Sequence, residues 1–176
     1  MIKVAIIIDG PNLLGATNDL DKNINFKAWL KHITHIVKNR KLVIKKVYHD
    51  VVPRMIHRNG FHYCMEEIGF EIISVALKCY GPGSQKFYKS RTDQAITVDV
   101  MKHLGKNDFD HLILLSGDSD YEFLLNCCHE YGKTFEIWTM SNSLAHELKS
   151  LTKKHNSDIF LFDDDKFRHL LLPKHI

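Results

Sequence analysis

Four aspartates stand where their chemistry would matter most. Asp9 ends an apolar run, Asp93 opens a helical segment, and Asp118 and Asp120 follow a second apolar run within Ser116-Gly117-Asp118-Ser119-Asp120. Carboxylates brought together in a partly dehydrated site repel one another, and each raises its neighbours' pKa. A hard divalent cation, Mg²⁺ or Mn²⁺, offsets that repulsion, because such ions take oxygen ligands and keep several waters. Bound there, the ion would lower the pKa of a water and neutralise charge building on a phosphodiester. Asn12 lies three residues after Asp9, and its amide can both donate and accept. The Ser116 hydroxyl is placed to do the same. Each residue has a plainer alternative. Asp93, Asp118 and Asp120 suit helix caps, Asp9 with Gly10 suits a turn, and Ser116 could bond only local backbone. What the plainer readings do not foresee is all four acids at one edge. Asp99 follows Asp93 by six residues, which turns it well off that face. It is a supporting candidate, and a solvated or lysine-paired acid near Lys102 is at least as good a reading of it.

The acids need a route for an anionic substrate, and Lys78–Arg91 has that composition. Lys78, Lys86, Lys89 and Arg91 occur there with no acid, interleaved with Tyr80, Phe87 and Tyr88. Cations track phosphates and aromatic rings stack on unpaired bases. Lys86, Lys89, Arg91 and Tyr88 are therefore the candidate nucleic-acid contacts, Lys89 and Arg91 being closest to Asp93. An ordinary solvated loop is the alternative.

Elements must position these groups. Residues 2–8 are apolar with no polar face, as in a strand buried on both sides of a parallel sheet. Asp9-Gly10-Pro11-Asn12 stops it. Apolar residues at three- and four-residue spacing predict a helix from Asn25 to about Arg40. A strand follows at Leu42–Val52, then a helix from Pro53 through Ile68, and a strand at Phe70–Leu77. Lys78–Arg91 reads as a loop around Gly81-Pro82-Gly83-Ser84. Beyond it the pattern gives helices at Thr92–Leu104, Tyr121–Tyr131, Ser143–Lys153 and Lys166–Leu172, with strands at His111–Leu115, Thr134–Trp138 and Ile159–Phe162. Strands alternating with helices predict a three-layer α/β/α sandwich with a mostly parallel central sheet. In such sheets ligands bind beyond the carboxyl ends of the strands, where strand order reverses. Asp9 and the Ser116–Asp120 segment fall at two such ends.

The 176 residues suit a single domain spanning 1–176, and a net charge of +3 is a mild lean towards anionic partners. Four cysteines without a CxxC pair, and no signal-peptide or membrane-length apolar segment, lead to the expectation of a reducing, cytoplasmic setting without membrane attachment. The twelve histidines show no HExxH or paired Cys/His spacing, and His32 and His35 read as surface residues of one helix face. The absence of GxSxG, GxGxxG and GxxxxGK[ST] removes the usual hydrolase-elbow, dinucleotide and P-loop readings. Asp163-Asp164-Asp165 reads as a capping cluster for the last helix. Exposed apolar helix residues would allow a homodimer.

The chain resembles the NYN domain, the LabA-like branch of the PIN-like ribonuclease superfamily. The blocks that carry the resemblance occur in order: Ile8-Asp9-Gly10-Pro11-Asn12-Leu13, then Lys89-Ser90-Arg91-Thr92-Asp93 through Val98-Asp99-Val100, then Leu114-Leu115-Ser116-Gly117-Asp118-Ser119-Asp120-Tyr121. Tyr131-Gly132-Lys133 and the strand after it also fit. The resemblance implies a PIN-like Rossmannoid sheet and Mg²⁺- or Mn²⁺-dependent cleavage of single-stranded or looped RNA by an activated water. It further implies that Asp9, Asp93, Asp118 and Asp120 ligate the metal or its waters, with Asn12 and Ser116 in support and Asp99 where the family often has an acid. Two departures stand out. Ser90-Arg91-Thr92 replaces a glycine and an apolar residue common in the family, and Tyr121 replaces phenylalanine, a mild change. A catalytically weak RNA-binding or regulatory module is the competing reading, since fold alone does not separate the two. An aspartyl-phosphate phosphatase ranks below both, because Pro11 stands where that chemistry usually places its second aspartate.

Overall fold

A computed structural model describes residues 1–36, 39–52, 60–81 and 86–174. Its frame is a six-stranded sheet built from β1 (Ile2–Asp9), β3 (Arg40–Val51), β4 (Glu71–Ala76), β7 (His111–Leu115), β8 (Thr134–Thr139) and β9 (Asp158–Leu161). The order is β4-β3-β1-β7-β8-β9 and every pairing is parallel. From β1 the chain builds outward through β3 to β4, then returns to β1's other side and builds through β7 and β8 to β9. Strand order therefore reverses between β1 and β7, which opens a crevice above their carboxyl ends.

Side-chain alternation divides the core into two layers. Val4, Ile6, Ile8, Ile113 and Leu115 point to one face, where α1 (Gly10–Asp19) and α2 (Phe26–Ile36) cover them with Leu13, Phe26, Trp29 and Ile33. Ala5, Ile7, Leu112 and Leu114 point to the other. There α4 (Thr92–Gly105), α5 (Glu122–Glu130) and α6 (His146–His155) supply Ile96, Val100, Leu104, Leu124, Leu125, Leu148 and Leu151. Each fully buried isoleucine of β1 contributes about 2 kcal/mol of apolar transfer free energy. The α/β/α sandwich expected from the sequence is the observed fold.

Several local expectations differ from the structure. Residues 13–24 carried no expected element, yet they hold most of α1 and the short β2 (Lys22–Ile24). Asp9 caps α1 by accepting from the Asn12 backbone N–H at 3.2 Å, and Pro11 lies in the first turn, where its missing N–H costs nothing. Gly10 permits this entry, because a Cβ there would sit 2.5 Å from the Tyr48 carbonyl oxygen of β3. The expected helix from Pro53 begins outside the described residues; its visible part is α3 (Gly60–Glu67). Lys78–Arg91 is more than a loop, since β5 (Lys78–Tyr80) and β6 (Phe87–Lys89) pair antiparallel.

The last expected helix, Lys166–Leu172, is a single 3-10 turn (Arg168–Leu170) followed by β10 (Leu171–Pro173). β10 pairs antiparallel with β2, so these residues find backbone partners in a ladder. Without that helix, the three acids before it do not act as one capping cluster. Asp163 accepts from the Ser141 backbone at 2.9 Å and also from its hydroxyl, Asp164 caps the turn at the Lys166 N–H, and Asp165 pairs with Arg168 at 3.1 Å. His32 is half-buried against Trp138 and Phe167 and is not a surface residue. All four cysteines are free. Among the described residues no helix is long and apolar enough to cross a membrane.

Candidate active site at the carboxyl ends of β1 and β7

Asp9, Asp93, Asp118 and Asp120 line one open pocket of about 460 Å³, together with Pro11, Asn12, Lys89, Ser90, Thr92 and Gln94. It lies at the crevice between β1 and β7. Asp9 reaches it from the end of β1 and Asp93 from the first turn of α4. Asp118 and Asp120 come from the loop and 3-10 turn after β7.

Asp9 is the buried member, with 4% of its surface exposed. Its Oδ2 accepts from the Tyr121 hydroxyl at 2.8 Å and the Ser116 hydroxyl at 3.3 Å, while Oδ1 accepts from the Asn12 N–H at 3.2 Å. Burial still lifts its pKa above the ordinary carboxylate range, outweighing those three donors, and the charge of Asp118 adds to the rise. Asp118 is half-buried and caps the 3-10 turn by accepting from the Asp120 N–H at 3.0 Å. Asp120 is exposed. Asp93 is half-buried, and the residue preceding α4 supplies no side-chain cap.

The supporting groups tie the loops together. Asn12 Oδ1 accepts from the Gly117 N–H and from the Ser143 hydroxyl, each at 3.0 Å, so one side chain joins α1 to the loops after β7 and β8. Ser116 is fully buried; its hydroxyl donates to Asp9 and accepts from the Asp118 N–H at 3.2 Å. Gly117 is required here, because a Cβ would collide with the Ser143 carbonyl and lie 2.7 Å from its hydroxyl.

Two participants escaped the sequence reading. Asp50, on β3, accepts from the Ser90 hydroxyl at 3.0 Å and the Thr92 hydroxyl at 2.9 Å, fixing the entry to α4 and hence Asp93. The only signal in the sequence was that Ser90 and Thr92 depart from the family pattern with hydroxyls. Tyr121 is completely buried. Burial first, then the charges of Asp9, Asp93 and Asp118, push its phenol upward, so three of the acids act on one buried point. Its hydroxyl gives Asp9 a hydrogen bond that a phenylalanine at this position could not make.

Asp99 does not join the acidic pocket. It lies in a neighbouring groove, bonded to Lys46 Nζ at 2.7 Å and to the Tyr48 hydroxyl. Burial alone would raise its pKa, but those two donors and the Lys46 and His103 charges hold it below the ordinary range. The lysine pairing weighed for Asp99 is thus real, with Lys46 in place of Lys102.

The basic residues separate into two groups. Lys89 lines the acidic pocket, whereas Arg91 faces the neighbouring groove and donates to the Ala76 carbonyl at 3.0 Å. Lys86 is exposed just before β6. Strand alternation puts Phe87 on the face of Lys89, stacked on Tyr80 with ring centroids 5.4 Å apart, and Tyr88 on the opposite face.

An all-oxygen donor set with raised proton affinity at its centre suits a hard cation. Among the described residues no three His, Cys, Asp or Glu side chains close directly on one point. The fit is therefore to a hydrated ion, held by one or two carboxylates and through water by the rest.

The NYN domain family model matches residues 3–159, nearly the whole chain. The chain belongs to the NYN domain family, within the PIN-like superfamily, which is generally one of nucleases, and its role is nuclease- or RNA-related. No curated protein matches it in sequence. A crystal structure of a protein of unknown function from Vibrio parahaemolyticus is 20% identical, covers 97% of this chain and 96% of its own, and superposes with a TM-score of 0.72. That likeness speaks for the fold.

Proposed function

We propose that this chain is a Mg²⁺- or Mn²⁺-dependent ribonuclease that cuts single-stranded or looped RNA internally by hydrolysis. The observation that carries the reading is a buried aspartate, Asp9, brought to the same pocket as three other acids at the switch point of the sheet. Unpaired acids in that arrangement are costly without a cation. When bound, the ion supplies the positive charge that makes water acidic and offsets charge on the attacked phosphate. Asp9, Asp93, Asp118 and Asp120 would hold it or its waters. Asn12 Nδ2 has no acceptor among the described residues and is free to orient a phosphate oxygen. Lys89 would bind the incoming phosphodiester, with Lys86 and the β5–β6 hairpin aromatics engaging unpaired bases. A reading as one domain over 1–176 is supported by β10, which returns the carboxyl-terminal chain to β2.

One observation favours a second reading, an RNA-binding module with little turnover: the carboxylates do not close directly on one point. Cleavage of a labelled single-stranded RNA with Mn²⁺, Mg²⁺ or EDTA, in the native chain and Asp118→Asn, separates the two. The ribonuclease reading expects metal-dependent cutting that falls at least about a hundredfold in the variant, a ΔΔG‡ of about 2.7 kcal/mol or more. Asparagine also caps helices, so folding changes by only a few tenths of a kcal/mol. Binding without cutting by the native chain, across several RNAs, would establish the second reading.

A further inference from the structure

We propose that the groove between α4 and the sheet edge β3–β4 holds the nucleotide of single-stranded RNA adjacent to the phosphodiester in the acidic pocket. This rests on the ribonuclease reading above. The groove encloses about 600 Å³, within the range that accommodates a nucleotide-sized ligand. β4 is the outermost strand, and Ile73 and Val75 on it face the groove together with Ala95 and Val98 of α4. The period of the helix aligns Arg91, Ala95, Val98 and Lys102 in one stripe.

Continuity with the acidic pocket selects the occupant. Gln94 lines both cavities, and Arg91 in the groove sits between Ser90 and Thr92 of the pocket. Gln94 is thus the residue that a strand leaving the acids would pass to reach the groove. The chemistry then matches in sequence. The Gln94 amide, with no partner among the described residues, can donate to and accept from a base edge. Val98, 54% exposed, and Ile73 offer apolar surface to a base face. Lys102 Nζ, also without a partner among the described residues, stands one turn beyond Val98 for the next phosphate. Of the two acids lining the groove, Asp99 is paired with Lys46 at 2.7 Å, and Glu71, largely exposed at the rim, reaches the same lysine at 4.0 Å, while Arg91 and Lys102 keep the groove's cations in excess. A protein segment would use the apolar floor equally well, but nothing would then tie the groove to the acids.

The test measures equilibrium binding of a fluorescent single-stranded RNA of about ten nucleotides. It is done in EDTA, for the native chain, Val98→Glu and Lys102→Ala, with circular dichroism to verify folding. Both side chains are on the exposed side of α4, so the variants retain the fold. Val98→Glu is expected to weaken binding roughly tenfold. Lys102→Ala is expected to lower the slope of log affinity against log salt by about 0.7, the loss of one phosphate contact. Substituting 4-thiouridine in the RNA should cross-link it to residues 71–76 or 94–102. If native binding is sound but both variants match it in affinity and salt slope, the groove proposal is overturned and the ribonuclease reading stands. If the native chain neither binds nor cuts RNA, the ribonuclease reading falls and the groove proposal with it.

Discussion

At Asp9, two opposing influences meet on one carboxylate. Burial favours its protonated form, while Tyr121, Asn12 and Ser116 donate to the charged form. Tyr121 is the strongest of these donors, at 2.8 Å and wholly buried. Tyr121→Phe keeps the ring volume and removes only the hydroxyl. It should destabilise the metal-free protein at neutral pH by about 1.5–3 kcal/mol, the usual worth of a hydrogen bond to a charged group. The pH dependence follows from linkage. Losing the donor raises Asp9's folded pKa further, so the native chain's advantage is present above that range. It is lost as pH falls and Asp9 is protonated in both proteins. Urea unfolding of the two proteins in EDTA, at neutral pH and near pH 4, checks this, since an equal difference at both values would exclude the assignment.

The elements converge on the site through loops, and their spacing is held by contacts that leave no room. The turn after β7 lies so close to Ser143 that Gly117 accepts no side chain, and Asn12 spans the same gap with two hydrogen bonds. Gly117→Ala must push the β7 and β8 loops apart, moving Asp118 relative to Asp9. The expected cost is about 1–3 kcal/mol of stability, typical of overpacking. The RNA cleavage assay should show a larger loss, because displacement of a catalytic group by about 1 Å can cost a hundredfold. A thermal melt lowered with full activity retained would mean that this turn does not position the acids. The β5–β6 hairpin, with its exposed Phe87 and Tyr88, leaves the sheet after Leu77, whose N–H donates to Val51, and rejoins it at Ser90, whose hydroxyl donates to Asp50.

Across the whole molecule, the two ends of the sheet are specialised differently. The carboxyl ends carry the uncompensated acids, whereas a buried acid within the sheet bonds partners at the amino ends of β3 and β7. Glu136 on β8 accepts from Arg40 of β3 and His111 of β7, each at 3.1 Å, and from the Trp138 indole at 3.0 Å. Burial would raise its pKa, but the His111 and Trp138 donors and the Arg40 guanidinium hold it below its ordinary 4.5. The sign is that of a depressed carboxylate. Its stabilisation is present above pH 4.5 and is lost as pH falls through the lower folded value. Glu136→Gln should cost about 3 kcal/mol at neutral pH by leaving Arg40 without its buried partner, and much less in acid. Chemical denaturation at several pH values tests it, and RNA cleavage by the folded variant should persist because Glu136 bonds Arg40 and His111 at the amino ends of their strands and no acid of the pocket.

Local pattern was enough to establish much of this protein. Continuous apolar runs such as Val4–Ile8 can only be buried on both faces, and apolar residues at helical spacing, as in α2, can only face a core. Those two facts lead to a parallel sheet between helices, and the sheet in turn places Asp9 and Asp118 at neighbouring strand ends. Residues 166–172 look helical locally, yet only one 3-10 turn forms there before the chain enters β10, because β2 offers a backbone ladder nearly 150 residues away in the chain. Tyr121 on Asp9 and Asp50 beneath Ser90 depend on contacts across 112 and 40 residues. Asp99 kept its place on the helix but found Lys46 on β3 as partner, 53 residues away, and so left the acidic pocket. Periodicity reports which face of an element meets the core, because that is a property of neighbouring residues. Which donor reaches a buried carboxylate is settled only when distant segments pack, and tertiary structure alone decided it.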